Sequence, residues 1–377
     1  RFINLGNFCQ RSSFVNNSSR VHNFSAGPCT LPVPVLESVQ NEMLNFENSG
    51  MSIIESSHRA PEYDSVHMSA LADFRSLADV PDDFAILFLQ GGASLQFTQV
   101  PLNLLSANEK AGYLNTGTWG GKALSDAKLL CSAYEAWSGA DNNFSRMPDA
   151  NEIEIDEGSR FLHITTNETI GGIQLPEYPK VDFPMVADMS SDFLSRPIDW
   201  ECFDLVYGGA QKNLGPSGLT IVVVREEIFE RSNQVAGGYL DYQIHAKADS
   251  MANTPPMFPI YVMGKVLKWM IEAGGLPEFE KRAQERASLL YDTIDNSGGW
   301  YQCPVDANSR SLMNVVFRLP TEDLEKKFIA EASGFDLVNL KGHRSVGGVR
   351  ASVYNALPLE SAQSLADFMT SFQEQNG

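Results

Sequence analysis

The sequence predicts an α/β protein: a larger domain on a mostly parallel sheet covered on both faces, followed by a smaller α+β domain. Two patterns carry this. Between residues 84 and 225 short apolar runs alternate with longer amphipathic stretches, as strands joined by crossover helices do. After Pro259 that rhythm gives way to long helical stretches with isolated strands. A length of 377 residues fits two or three domains at roughly 100–200 residues each.

Residues 84–90 read as a buried strand, then a glycine pair, then a helix over 96–105. A strand at 111–115 leads through a Gly-rich turn into a helix over 122–130. Strand signals at 161–166, 184–188, 203–207 and 219–225 complete the first part. Beyond it, helices at 260–273 and 276–288 flank Gly274-Gly275. A strand at 311–318, a helix at 321–332, a strand near 348–352 and a helix at 359–373 close the chain, with no internal repeat.

Apolar residues make up 43% and charged residues 20%, which excludes disorder as the dominant state. The apolar runs are strand-length, too short for a membrane helix. With 28 Lys+Arg against 47 Asp+Glu the formal net charge is -19, which disfavours nucleic acid and anionic lipid as partners. Any anionic ligand then needs a local cluster of cations. Five cysteines without a CxxC pair argue against a disulfide framework or a zinc ribbon, and no metal site is expected.

No acidic residue precedes Glu37, while Arg1, Arg11 and Arg20 lie among Ser and Asn. Residues 1–20 read either as a flexible extension or as part of a transit peptide. The expected location is the cytoplasm, with a plastid or mitochondrion as the alternative.

In parallel sheets, ligands bind beyond the carboxyl ends of the strands, and three candidates lie there. Gly91-Gly92-Ala93-Ser94 joins a strand to a helix, where open backbone N–H groups cradle phosphate; the same turn also serves purely structural ends. Asp188 ends an apolar strand and needs a partner if buried; capping a following helix is the other option. Lys212 follows a strand among small residues. It is either an ordinary loop lysine or a desolvated amine able to form a Schiff base. Cradle, carboxylate and amine together meet the needs of pyridoxal 5′-phosphate: phosphate binding, a protonated ring nitrogen and a covalent anchor.

Longer strings point the same way: Asn23-Phe24-Ser25-Ala26-Gly27-Pro28, Ser57-His58-Arg59, Thr116-Gly117-Thr118-Trp119-Gly120, Asn167-Glu168-Thr169, Gly209-Ala210-Gln211-Lys212-Asn213, Asn253-Thr254-Pro255-Pro256 and Gly342-His343-Arg344-Ser345-Val346-Gly347-Gly348. By these the sequence resembles the phosphoserine aminotransferases, in class V of the aminotransferases, from about residue 22 onward. The resemblance implies the pyridoxal-phosphate-dependent, aspartate-aminotransferase-like fold with a seven-stranded sheet. It implies an arm at 21–31 joining the small domain, a cofactor domain at 32–275 and a small domain at 276–377.

Carried over by position, Lys212 is the Schiff-base lysine, Asp188 the partner of the pyridinium nitrogen and Trp119 the aromatic plate on the cofactor ring. Thr169 donates to the ring phenolate oxygen, and Ala93, Ser94 and Gln211 bind the cofactor phosphate. Asn253 and Thr254 reach that phosphate from a second subunit, so the resemblance implies a homodimer with shared sites. Arg350 takes the substrate α-carboxylate; His58 and Arg59 of the other subunit, with His343 and Arg344, take the distal phosphate or carboxylate. Forked guanidinium groups suit such oxyanions. Bacterial members often carry arginine in place of Ser94, and Ser94 cannot supply that charge.

The implied reaction moves the amino group of L-glutamate to 3-phosphohydroxypyruvate by a ping-pong route through pyridoxamine phosphate, giving phosphoserine and 2-oxoglutarate for serine biosynthesis. 4-Phosphohydroxythreonine is a further candidate substrate. A cysteine desulfurase, an aminotransferase for uncharged substrates and a noncatalytic protein of the same fold are the rivals. The first needs a loop cysteine, the second has no use for so many cations, and the third predicts loss of Lys212 or Asp188.

Overall fold

The computed structural model of the chain describes residues 20–106, 108–231 and 237–377. The extension expected at 1–20 therefore lies outside the described residues, Arg20 excepted. Among the described residues no helix is long and apolar enough to cross a membrane.

A short strand β1 (His22–Asn23) is followed by helices α1 (Val33–Glu42) and α2 (Pro61–Ala78). Sequence analysis assigns neither helix. The signals in α2 are clear: Pro61 opens it, Glu62 and Asp64 sit in its first turn, and Tyr63, His67, Ala70, Phe74 and Leu77 are buried. This is the spacing of a single apolar stripe.

The alternating region forms as expected. It comprises β2 (Phe84–Leu89), α3 (Gly92–Leu104), β3 (Lys110–Asn115), α4 (Thr118–Ala127), β4 (Ser132–Ser138), β5 (Ser159–Thr165), the small hairpin β6 (Asn167–Glu168) and β7 (Ile173–Gln174), β8 (Met185–Asp188), β9 (Leu205–Gly209) and β10 (Thr220–Arg225). Seven strands make one sheet in the order β2-β10-β9-β8-β5-β3-β4. All neighbours pair parallel except β10, which runs antiparallel to both β2 and β9. The carboxyl ends of β2, β3, β5, β8 and β9 therefore share one edge. This bears out the α/β class and the mostly parallel seven-stranded sheet.

Successive residues of β2 and β10 feed opposite faces. Phe84, Ile86, Phe88, Ile221 and Val223 enter one buried cluster, and Leu87, Leu89, Val222 and Val224 enter the other. Burial on both faces explains their unbroken apolar character. Of the seven strands in this sheet the sequence reading lacks β4, which lies at the sheet edge, where only Ala136 is buried. Half-solvated edges do not need an apolar run.

Beyond this lie α5 (Glu227–Arg231), α6 (Tyr242–Lys247), α7 (Met257–Glu272), α8 (Gly275–Asp295), β11 (Asn314–Phe317), α9 (Glu322–Ser333), β12 (Leu337–Val338), β13 (Val349–Ser352) and α10 (Leu359–Asn376). β11 and β13 pair antiparallel. With α8, α9 and α10 they enclose a second core including Leu290, Phe317, Phe328 and Met369. The chain start joins this part: β1 pairs parallel with β12, and Phe24 enters the same core.

Candidate active site

At the shared edge of the sheet a cavity of about 390 Å³ is lined by Ala93, Ser94, Trp119, Thr169, Asp188, Gln211, Lys212, His343 and Arg350, among others. These nine of the expected residues come from the ends of β2, β3, β6, β8 and β9, from β13 (Arg350) and from the loop before it (His343).

Lys212 is 9% exposed, unlike an ordinary loop lysine. Its Nζ donates to Thr169 Oγ1 at 2.6 Å and stands 6.0 Å from the Trp119 ring centroid. Burial holds the amine down to about 8, against the opposing pull of Asp188 and Glu168. The backbone at this point is fixed by the loop after β1: Cys29 N donates to Gln211 O at 3.2 Å, and Cys29 Sγ to Lys212 O. Gly27, at φ 134, brings that loop so close that a Cβ there would lie 3.4 Å from Lys212 Cγ.

Asp188 ends β8, buried. No helix follows; its Oδ1 instead accepts from Ser190 N at 2.9 Å and Ser190 Oγ at 2.6 Å. Burial raises its pKa, while the Ser190 bonds and Lys212 oppose the rise. A carboxylate in this setting gains most from a cationic or N–H partner.

The glycine-rich turn has the form of an anion cradle. Gly91 and Gly92 take φ 100 and φ 70, and α3 begins at Gly92. A Cβ on Gly91 would collide with the Leu95 side chain. Across the sheet edge Gly209 faces Ala93 N, from which a Cβ on it would stand 3.9 Å. Two buried polar atoms at the cavity have no partner, Trp119 Nε1 and Thr165 Oγ1. An open cradle, a braced carboxylate, a desolvated amine and orphaned donors together fit pyridoxal phosphate. Among the described residues no group of three or more His, Cys, Asp and Glu could hold a metal ion.

Glu168 carries no role in the sequence reading beyond its place in a matching string. It is fully buried, and its carboxylate accepts from Trp119 N at 3.1 Å and Gly120 N at 2.8 Å at the start of α4. Burial, the largest influence, raises it to about 7. Gly117 makes room for it, since a Cβ there would lie 2.8 Å from Glu168 Cδ. Position next to Thr169 is the one signal in the chain that singles it out. Ser190 is likewise absent from the sequence reading, although a serine two residues after a strand-end aspartate suits such a turn.

On the substrate side, Arg350 is half-buried, and its Nη1 donates to the Thr169 backbone O at 3.3 Å. His343 borders the cavity, with Nδ1 bonded to Ser345 Oγ at 2.7 Å. Arg344 does not line this cavity; it is exposed along a neighbouring groove with Lys341 and Lys326. His58, Arg59, Asn253 and Thr254 are also elsewhere within this chain. His58 is half-buried and the other three are exposed, with Thr254 Oγ1 and His58 Nδ1 hydrogen-bonded at 3.4 Å.

The family model for class-V aminotransferases matches residues 21–365. The chain is 49% identical over 360 residues to the phosphoserine aminotransferase of Lysinibacillus sphaericus, covering 95% of this chain and 99% of that one. It is 46% identical over 365 residues to the chloroplastic phosphoserine aminotransferase 1 of Arabidopsis thaliana, covering 96% and 85%. The crystal structure of pyridoxal-phosphate-bound phosphoserine aminotransferase from Trichomonas vaginalis superposes with a TM-score of 0.89 at 37% identity, covering 93% of this chain and 100% of that one. With the fold, the cavity and the matched span in agreement, the chain belongs to the class-V aminotransferase family.

Proposed function

We propose that the chain is a pyridoxal-phosphate-dependent transaminase that passes the amino group between L-glutamate and 3-phosphohydroxypyruvate, forming O-phospho-L-serine and 2-oxoglutarate. The observation that carries this reading is one cavity bordered by Lys212, Asp188 and the Gly92-Ala93-Ser94 turn, with Arg350 and His343 beside them. Near-full-length identity to phosphoserine aminotransferases supports the choice of substrate.

The cofactor, when bound, supplies an aldehyde to hold the amino group and a ring to delocalise the electrons of the broken Cα–H bond. Lys212 would anchor that aldehyde, and its free amine would move the proton of the substrate Cα as base and then acid. Its lowered pKa suits both tasks near neutral pH. Asp188 would keep a proton on the ring nitrogen through a charge-assisted bond. Ala93, Ser94 and Gln211 would hold the phosphate, Thr169 the phenolate oxygen and Trp119 the ring. Arg350 grips the α-carboxylate. Among the described residues no cysteine lines the cavity, which disfavours the desulfurase reading.

His58, Arg59, Asn253 and Thr254 form an outward-facing cluster, and Leu44, Ile54 and Met68 are large apolar side chains exposed in the single chain. A homodimer in which each subunit lends these polar residues to the other's cavity accounts for both features. The pairing of β1 with β12 supports an arm at 21–31 joined to a small domain at 276–377, apart from a cofactor domain at 32–275. Placement in the cytoplasm or in an organelle is separable by imaging residues 1–20 fused to a fluorescent protein.

The test is a set of half-reaction spectra. Phosphoserine and glutamate should both bleach the visible band of the holoenzyme, and serine and alanine should do so at least about 100-fold more slowly, since a phosphate-sized loss of contacts is large. Equal rates with serine and phosphoserine would refute the assignment.

A further inference from the structure

Among the described residues, Lys122, Lys212 and Arg350 border the cavity together with His343. Three have an account already, and Lys122 has none. It lies on α4, one turn beyond Trp119, with Nζ 4.5 Å from the Trp119 ring centroid. No ion pair among the described residues engages it.

A substrate with an α-carboxylate and a distal phosphate brings about three negative charges into an acidic protein. Arg350, bonded beside Thr169, serves the carboxylate, and Lys212 is committed to the amino group. His343 is held below its ordinary value by partial burial and by Arg350, Arg344 and Lys122 around it, which disfavours its charged form. Ser94 is neutral, and Arg344 faces the neighbouring groove. Among the described residues of the chain, the remaining full positive charge at this cavity is Lys122. Lys122 is itself exposed, so its attraction to the half-buried Trp119 ring is weak, on the order of 0.5–1 kcal/mol, and the flexible stem can turn the ammonium toward an arriving anion.

We propose that Lys122 is a specificity-determining residue that binds the distal phosphate of the substrate together with His343. The inference rests on the proposed phosphoserine reaction and names a residue that discriminates phosphate from a singly charged carboxylate.

The experiment compares the Lys122→Met and Lys122→Arg holoenzymes with the wild type. Lys122→Met should raise KM for phosphoserine about tenfold and KM for glutamate no more than about threefold, with kcat nearly unchanged. Lys122→Arg should restore most of the difference. Inorganic phosphate, tested as a competitive inhibitor of the glutamate half-reaction, should weaken about fivefold or more in Lys122→Met alone. An unchanged KM for phosphoserine in Lys122→Met, or an equal rise in Lys122→Arg, overturns the proposal. Wild-type enzyme that accepts glutamate but not phosphoserine would instead overturn the reaction assignment. In that event inhibition by inorganic phosphate still decides on Lys122: weaker in the Met variant supports the site, unchanged refutes it.

Discussion

Burial sets the working state of Lys212 before any ligand arrives. With its pKa brought to about 8, a useful share of the amine is free base near neutral pH. Lys212→Ala should lower kcat by about 10³-fold or more and abolish borohydride-dependent attachment of the cofactor; turnover with glutamate in that variant would contradict its role. Glu168 gives a pH signature of opposite kind. Its carboxyl titrates near its ordinary 4.5 when unfolded and near about 7 when folded, so the fold binds the extra proton between those values. The stability it adds is complete below about 4.5 and lost as pH rises through about 7. Glu168→Gln lacks this dependence, so urea midpoints should shift in the variant's favour as pH climbs from about 4.5 to above 7. A difference that stays flat with pH would show that Glu168 does not titrate there. Lys212 and Asp188 are legible in sequence because the one follows a strand and the other ends one. Glu168 is not, since its role comes from Trp119 N and Gly120 N, groups 48 and 49 residues away.

Among the elements, α4 is set against β3 by a glycine. A Cβ on Gly120 would lie 2.6 Å from the Leu114 backbone oxygen, which cannot swing aside as a side chain can. Gly120→Ala should therefore push α4 outward, cost about 1–3 kcal/mol in stability and displace the adjacent Trp119. Lower Tm together with reduced visible absorbance of the purified protein would report both effects. Full retention of the band with an unchanged Tm would mean the helix yields freely. The apolar strands β2 and β10 announce themselves by burial on both faces. The edge strand β4 does not, because water satisfies its outer side. In α2 the apolar stripe is present in the sequence but lies before the alternating region, where no strand draws attention to it.

For the whole molecule, the decisive expectation concerns subunit sharing. If Arg59 serves the partner's cavity, Lys212→Ala and Arg59→Ala chains are each nearly inactive alone. Mixed under conditions that exchange subunits, they should regain about a quarter of wild-type activity. Random pairing makes half the dimers mixed, and each mixed dimer has one intact site. No recovery, with mixed dimers demonstrated by a tag pull-down, would place Arg59 in its own chain's site or outside any site.

The sequence alone determined the alternation of strands and crossovers, and with it the sheet edge that bears Gly91-Gly92, Asp188 and Lys212. Period, glycine placement and strand ends are local properties written along the chain. Only the tertiary structure decided which charges share a cavity. It brought Lys122 beside His343 and Arg350, turned Arg344 away, and set Glu168 against the start of α4. Such encounters depend on how distant elements pack, and electrostatics acts through space rather than along the backbone.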